Sequence, residues 1–194
     1  MAIGNPKLLP LVLVAMALAG LVPAQTSEPG KVSSMNPKVV EEAGFTVIGI
    51  SARTSNAREM TDGAVIPKQW ARFMQENLLA QIPNRTDSSI VVVYSNYASD
   101  RNGEYSYLIG ARSRTTEEPP AGMVARRIGS GRYAIFTSEK GPVTKVVPDL
   151  WRKIWAVPKS APGGDRAYQT DYEVYDERAA DPQNAEVDVH VGIR

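Results

Sequence analysis

The sequence predicts an α+β domain made of two tandem, pseudo-symmetric strand–helix–strand–strand units. The first observation is an internal repeat. Ile66-Pro67-x-x-Trp70 falls on Val147-Pro148-x-x-Trp151, and the match runs to Val93-Tyr94 over Val174-Tyr175 at an offset of 81 residues. The second is its continuation, Ile109-Gly110-Ala111-Arg112 over Val191-Gly192-Ile193-Arg194, at an offset of 82. The third is the order of apolar patterns inside each copy, strand-type runs separated by one helical period. Two copies are too few for a solenoid. They predict one pseudo-symmetric domain with a seam, and seams are favoured places for small-molecule pockets.

In the first copy Phe45-Thr-Val-Ile-Gly-Ile50 is a short apolar strand, followed by a polar loop through Asp62-Gly63. Pro67 then opens a helix with Trp70, Phe73, Met74 and Leu78 on one face, since proline suits a first turn that does not use its missing N–H. Pro83-Asn84 ends it. Ile90–Tyr94 is a strand of buried character, Asp100-Arg-Asn-Gly103 a turn, and Tyr105–Ile109 the returning strand. In the second copy Arg132–Thr137 is the strand and Glu139-Lys-Gly-Pro142 the loop. Pro148 opens a helix with Leu150, Trp151, Ile154 and Trp155 on one face. Asp171–Tyr175 is a strand, Asp181-Pro-Gln-Asn184 the turn and Val187–Val191 the last strand. Gly129-Ser130-Gly131 lies between the copies. It lacks the Lys-Ser/Thr of a phosphate loop and reads as a joint. The repeats thus span about 43–114 and 124–194.

The N-terminal segment has its own logic. Lys7, the apolar run Leu8–Leu21 and the small-residue exit Val22-Pro23-Ala24 describe a secretory signal peptide over residues 1–24. The run is shorter than the roughly 18 residues of a spanning helix. An uncleaved anchor is the rival reading, and only that would put the protein on a membrane. Residues 25–41, polar and broken by Pro and Gly, read as a flexible tether, which leaves 42–194 as the domain. The expected location is exported, periplasmic or secreted. The chain has no cysteine, so its core has to hold without disulfides in a compartment where they would survive.

Without Lys7 the basic residues, 22 in the whole chain, equal the 21 acidic ones. A neutral chain argues against a nucleic-acid surface. Arg112, Arg114, Arg126 and Arg127 are interspersed with Glu117 and Glu118 and read as solvated surface. No second histidine and no cysteine exist to complete a metal site around His190, and no cofactor motif is present.

The copies differ where Glu173 stands in place of Val92. A carboxylate in an interior-type strand is expensive to bury without a partner. Strand alternation puts it on the face of Tyr175, opposite Tyr172 and Val174. Two readings stay open: the face is wet and Glu173 points to water, or the acid among rings recognises a cationic or amphipathic ligand.

The second copy runs Gly131-Arg-Tyr-Ala-Ile-Phe136, Gly141-Pro142, Leu150-Trp151-x-x-x-Trp155, Tyr172-Glu173-Val-Tyr175 and Val-Asp-Val-His-Val-Gly. In this it resembles the GyrI-like, AraC-type effector-binding domains, over roughly residues 43–194. The resemblance implies a concave antiparallel sheet with two helices packed on it, and a ligand cleft between the units faced by Glu173. Two departures stand out. Glu139-Lys140-Gly141-Pro142 replaces His-x-Gly-Pro, and His190 and Gly192 occupy the places of a Tyr and a Pro, which puts an imidazole at a cleft position.

The expected function is therefore a binding protein that holds an apolar or cationic amphipathic small molecule. Phe136, Trp151 and Trp155 would supply apolar walls, although two tryptophans at i and i+4 on a short helix are more often core against the sheet, and at least one is expected there. Tyr94, Tyr107 and Tyr175 would supply rings with polar tips, Glu173 the charge, and His190 a further contact. The alternative is a small-molecule hydrolase in which Glu173, its pKa raised among rings, acts with Tyr175 as acid and base. Oligomeric state is not legible.

Overall fold

The computed structural model describes residues 36–115, 118–157 and 165–194. The predicted signal peptide and most of the predicted tether lie outside the described residues. The elements are β1 (Lys38–Glu42), β2 (Phe45–Ser55), α1 (Asn56–Glu59), α2 (Ile66–Gln75), α3 (Leu78–Gln81), β3 (Ile90–Ser95) and β4 (Glu104–Ser113). They continue with β5 (Val124–Ile128), β6 (Gly131–Thr137), α4 (Val143–Ala156), β7 (Arg166–Tyr175), a 3-10 turn (Glu177–Ala179) and β8 (Asp188–Ile193). All eight strands form one antiparallel sheet in the order β1-β6-β8-β7-β3-β4-β2-β5, so the two copies meet at β7 and β3.

The apolar run of β3 is buried on both faces. Val92 and Tyr94 join the core beneath the helices, while Val91 and Val93 join a second cluster on the opposite face with Val47, Leu108, Ile128, Tyr133 and Tyr172. Packing on both sides is what an uninterrupted apolar strand signals. On the first face α2 contributes Ile66 and Phe73, and α4 contributes Val146, Val147, Leu150, Trp151 and Ile154.

Helix α2 begins where expected, with Pro67 in its first turn. The carboxylate of Glu59, at the end of α1, caps it, accepting the backbone N–H of Val65 at 2.9 Å and of Ile66 at 3.0 Å. Acceptors placed there satisfy orphan donors and complement the helix dipole. The predicted helix does not run unbroken to Pro83. It stops at Gln75 because Asn77 takes a left-handed conformation (φ 48°), and Leu78 is buried from the separate turn α3. Met74 faces outward, 49 % exposed.

Helix α4 departs further, starting at Val143 with Pro148 in its interior rather than its first turn. The residues explain the shift. Val143, Val146, Val147, Leu150, Trp151 and Ile154 are all buried and keep helical spacing from the start. An interior proline costs about 3 kcal/mol in an isolated helix, and this continuous buried face opposes that loss.

The largest correction concerns the tether. Residues 38–41, placed at its end, form β1 together with Glu42 and pair with β6. Strand β5, not expected either, pairs with β2. Each half therefore takes its edge strand from the segment leading into the other half. The register shows one long ribbon. Lys38 faces Ile135, Glu42 faces Gly131, Phe45 faces Ile128 and Gly49 faces Val124. Each step forward on β1–β2 is a step back on β5–β6, with no slip across Ala43-Gly44. The Gly129–Gly131 joint is where this ribbon passes from one half to the other.

The repeated glycines mark close approach. Gly49 and Gly110 face each other across β2 and β4, and a Cβ on either would lie 2.0 Å from a carbonyl oxygen of the partner strand. A Cβ on Gly192, the second-copy equivalent of Gly110, would lie 2.4 Å from the Thr170 carbonyl oxygen.

Candidate functional site: a buried glutamate beneath a ring-lined recess

The β3–β7 pairing that joins the copies sets Val92 directly opposite Glu173. The face is dry: Glu173 is 2 % exposed. Its carboxylate is held by three side chains. The Trp151 indole N–H donates to Oε1 at 2.6 Å, the Tyr94 hydroxyl to Oε1 at 2.9 Å and the Tyr175 hydroxyl to Oε2 at 2.7 Å. Burial raises the Glu173 pKa, and these three donors oppose the rise. Among the described residues, no cation is one of the groups that shift it. Burial and the Glu173 charge hold the Tyr94 and Tyr175 phenols well above their usual range, so both stay protonated as donors.

The rings interlock. Tyr94 meets Trp151, Tyr105 and Tyr107 edge-on at centroid distances of 5.4, 5.5 and 5.7 Å, and Trp70 meets Tyr175 at 5.0 Å. Edge-to-face contacts at such separations are each worth about 0.5–1.5 kcal/mol beyond area burial. Burial also lifts the Tyr107 phenol well above its usual range.

A shallow recess, partly open to solvent, lies against this cluster. Tyr94 from the end of β3, Tyr97 from the loop that follows it and Tyr105 from β4 form one side. Trp151 and Trp155 from α4 form another. Asn56, Ile66, Arg101 and Arg166 complete the lining. Glu173 lies behind Tyr94 and Trp151 and does not reach the wall.

Of the predicted residues, Glu173, Tyr94, Tyr175 and Trp151 form one hydrogen-bonded group, and Tyr94, Trp151 and Trp155 line the recess. Trp151 is core as well as wall, at 4 % exposure. Tyr107 packs behind Tyr94. Phe136 is buried in the helix-side core and is not on the wall.

His190 is elsewhere. It pairs with Tyr172 in the β7–β8 register, while Glu173 pairs with Val189, so alternation sends it to the opposite sheet face. There its ring stacks on Tyr172 at 4.3 Å, and Nδ1 lies 2.9 Å from Glu42 Oε1. The Tyr172 hydroxyl also donates to Glu42. These contacts hold the Glu42 pKa below its usual value, the close approach of His190 having the largest effect. Arg112, read from the sequence as solvated surface, sits with its guanidinium 4.5 Å from the Phe45 ring centre on this same face.

The sequence reading missed Tyr97, Tyr105, Asn56, Arg101 and Arg166. Tyr105 shares the face of Tyr107 by strand alternation, a signal that was available. Arg166 gives no such signal. It reaches the site because β7 starts five residues before its predicted first residue, Asp171, with an irregular register between the two.

A carboxylate buried among rings at the seam of two strand–helix–strand–strand halves, beside an open recess, defines a small-molecule-binding domain. The chain belongs to the GyrI-like small molecule binding domain family, whose model matches residues 35–194. It is 35 % identical over 147 residues to a putative transcriptional regulator, YobU, of Bacillus subtilis, covering 75 % of this chain and 90 % of that one. It is 27 % identical over 165 residues to the transcriptional regulator BrlR of Pseudomonas aeruginosa, covering 84 % of this chain and 57 % of that protein. Among solved structures, an integron cassette protein of Vibrio cholerae matches with a TM-score of 0.63 and 30 % identity, over 82 % of this chain and 96 % of that one. The protein SAV2435, solved bound to tetraphenylphosphonium, matches with a TM-score of 0.64 at 17 % identity, over 82 % and 94 % of the two chains. That last likeness is one of fold.

Proposed function

We propose that this domain binds a small molecule with a flat, apolar body in the recess between the halves, and that Glu173 fixes the rings that receive it. The observation that carries this reading is the triple anchorage of Glu173. One carboxylate holds the polar atoms of Trp151, Tyr94 and Tyr175, and two of those rings are walls of the recess. Pre-set aromatic walls lower the ordering cost of binding an aromatic guest. The membership of the family supports a small-molecule partner, and the likeness to regulators supports a ligand that acts as a signal. Export by residues 1–24, and the absence of a nucleic-acid partner, belong to the same proposal. N-terminal sequencing of protein recovered outside the cytoplasm tests the first.

The test of binding is a titration of tryptophan fluorescence with neutral polycyclic aromatic compounds, since Trp151 and Trp155 line the recess. Binding in the parent and a roughly ten-fold loss in Glu173→Ala, which frees all three donors, is the expected outcome. No response to any compound, or equal affinity in the variant, would remove this reading.

A further inference from the structure

Among the described residues, the lining of the recess carries two arginines, Arg101 and Arg166, and no acid. Arg166 is built into place. Its guanidinium pairs with Asp171, whose side chain is wholly buried. Asp171 is itself fixed by the Tyr97 hydroxyl at 2.6 Å and the Gly192 N–H at 2.9 Å. The Arg166 side chain is 15 % exposed. Its Cζ lies 5.6 Å from the Trp151 ring centre and 4.5 Å from that of Tyr168. Those are cation–π separations, so Trp151 already has a cation of the protein's own. The Arg166 Nε–H is buried and has no hydrogen-bond partner among the described residues.

From this placement we infer that Arg166 is a specificity-determining residue, and that the recess selects aromatic molecules bearing an anionic or strongly accepting group over lipophilic cations. The inference rests on the proposed binding site and names the class of its ligand. The Arg166–Asp171 pair is a dipole whose positive end is on the wall and whose negative end is beneath it. The Glu173 charge also lies beneath the wall, behind Tyr94 and Trp151, and is distributed over three donors. A guest on the surface meets the guanidinium first. A cation there would compete with Arg166 for Trp151 and face its charge at short range. An anion or acceptor would meet the exposed part of the guanidinium, 15 % of the side chain, and charge-assisted bonds of that kind are roughly twice as strong as neutral ones. Arg101, whose guanidinium donates to the Trp155 carbonyl oxygen at 3.2 Å, adds a second positive group at the rim.

Tetraphenylborate and tetraphenylphosphonium have nearly the same shape and opposite charge, which makes them the probes. Their affinity ratio is measured by tryptophan fluorescence in the parent and in the double variant Arg166→Met/Asp171→Asn. The double change removes both charges at once, so no buried carboxylate is left alone, and circular dichroism checks its fold. Comparing ratios between proteins cancels the intrinsic difference in hydration of the two ions. The expected result is a borate-to-phosphonium preference about ten-fold smaller in the double variant, the size of one 1.4 kcal/mol charge contact. Arg101→Met, on the exposed rim, should reduce the ratio by a smaller factor and serves if the double variant does not fold. An unchanged ratio in the folded variants overturns the inference. So does binding of neutral aromatics with neither ion bound, which leaves the site itself standing. If nothing binds, the site reading fails as well.

Discussion

Tyr94→Phe isolates the chemistry of the buried glutamate. The change removes one oxygen and keeps the ring, with its edge-on contacts to Trp151, Tyr105 and Tyr107. It takes away the 2.9 Å bond to Glu173 Oε1 and leaves that oxygen with Trp151 alone. Hydrogen bonds to charged groups contribute about 1.5–3 kcal/mol and neutral ones about 1. With a urea slope of about 2 kcal/mol per molar, the midpoint at pH 7 should fall by about 1 M. The pH dependence follows from the direction of the Glu173 shift. Its folded pKa is raised by burial above 4.5, so over the window above 4.5 the native state keeps a proton that the unfolded state has lost, and stability falls as pH rises through that window. Losing the Tyr94 donor raises the folded pKa further and widens the window. Below pH 4.5 the carboxyl is neutral in both states, and the variant forfeits only a neutral bond. Urea unfolding followed by circular dichroism at pH 7 and pH 4 should therefore show about half the loss at the lower pH. An equal loss at both, or a loss under about 0.5 kcal/mol at pH 7, would refute Glu173 as a charged acceptor.

Four further variants have expected outcomes. Gly110→Ala should cost about 2 kcal/mol or more, since its Cβ meets a backbone oxygen at 2.0 Å and overpacking of this kind forces the backbone to move. Gly129→Ala, with nothing within 4 Å, should be neutral, and equal urea midpoints for the two would reject the β2–β4 register. Glu42→Gln should reduce the acid sensitivity of the fold. The depressed Glu42 pKa contributes stability that is present above 4.5 and lost as pH falls through the folded value, so an unaltered acid-unfolding curve would count against the Glu42–His190–Tyr172 contact. Tyr175→Phe should resemble Tyr94→Phe in its pH signature, because it removes the donor on the other carboxylate oxygen; a pH-independent loss would separate the two.

The repeat made the two halves legible, because Pro67/Pro148, Trp70/Trp151 and Tyr94/Tyr175 are periodic apolar or ring positions whose placement is local. It also marked Glu173 by contrast with Val92. What escaped was set by pairing across long sequence separation. Strand β1 is too short to advertise itself beside a Pro-broken segment, and its pairing comes from β6. His190 was placed by aligning sequence positions, whereas one step of strand alternation puts it on the other face. Pro148 was read by the rule for first turns, while the valines upstream already extended the buried face to Val143. Arg166 depends on an irregularity in β7 that no local pattern encodes.

The crossed ribbon has a consequence for how the chain could be divided. A cut between β4 and β5 gives two fragments, each holding the outermost strand of the other's half through β1–β6 and β5–β2, and both sharing the β3–β7 seam. Neither fragment would carry a complete half of its own, so the pieces should reassemble when co-expressed and fail to fold when made separately. One unit encoded alone could complete itself only by trading that strand with an identical copy. Such an exchange is a self-complementary two-fold contact.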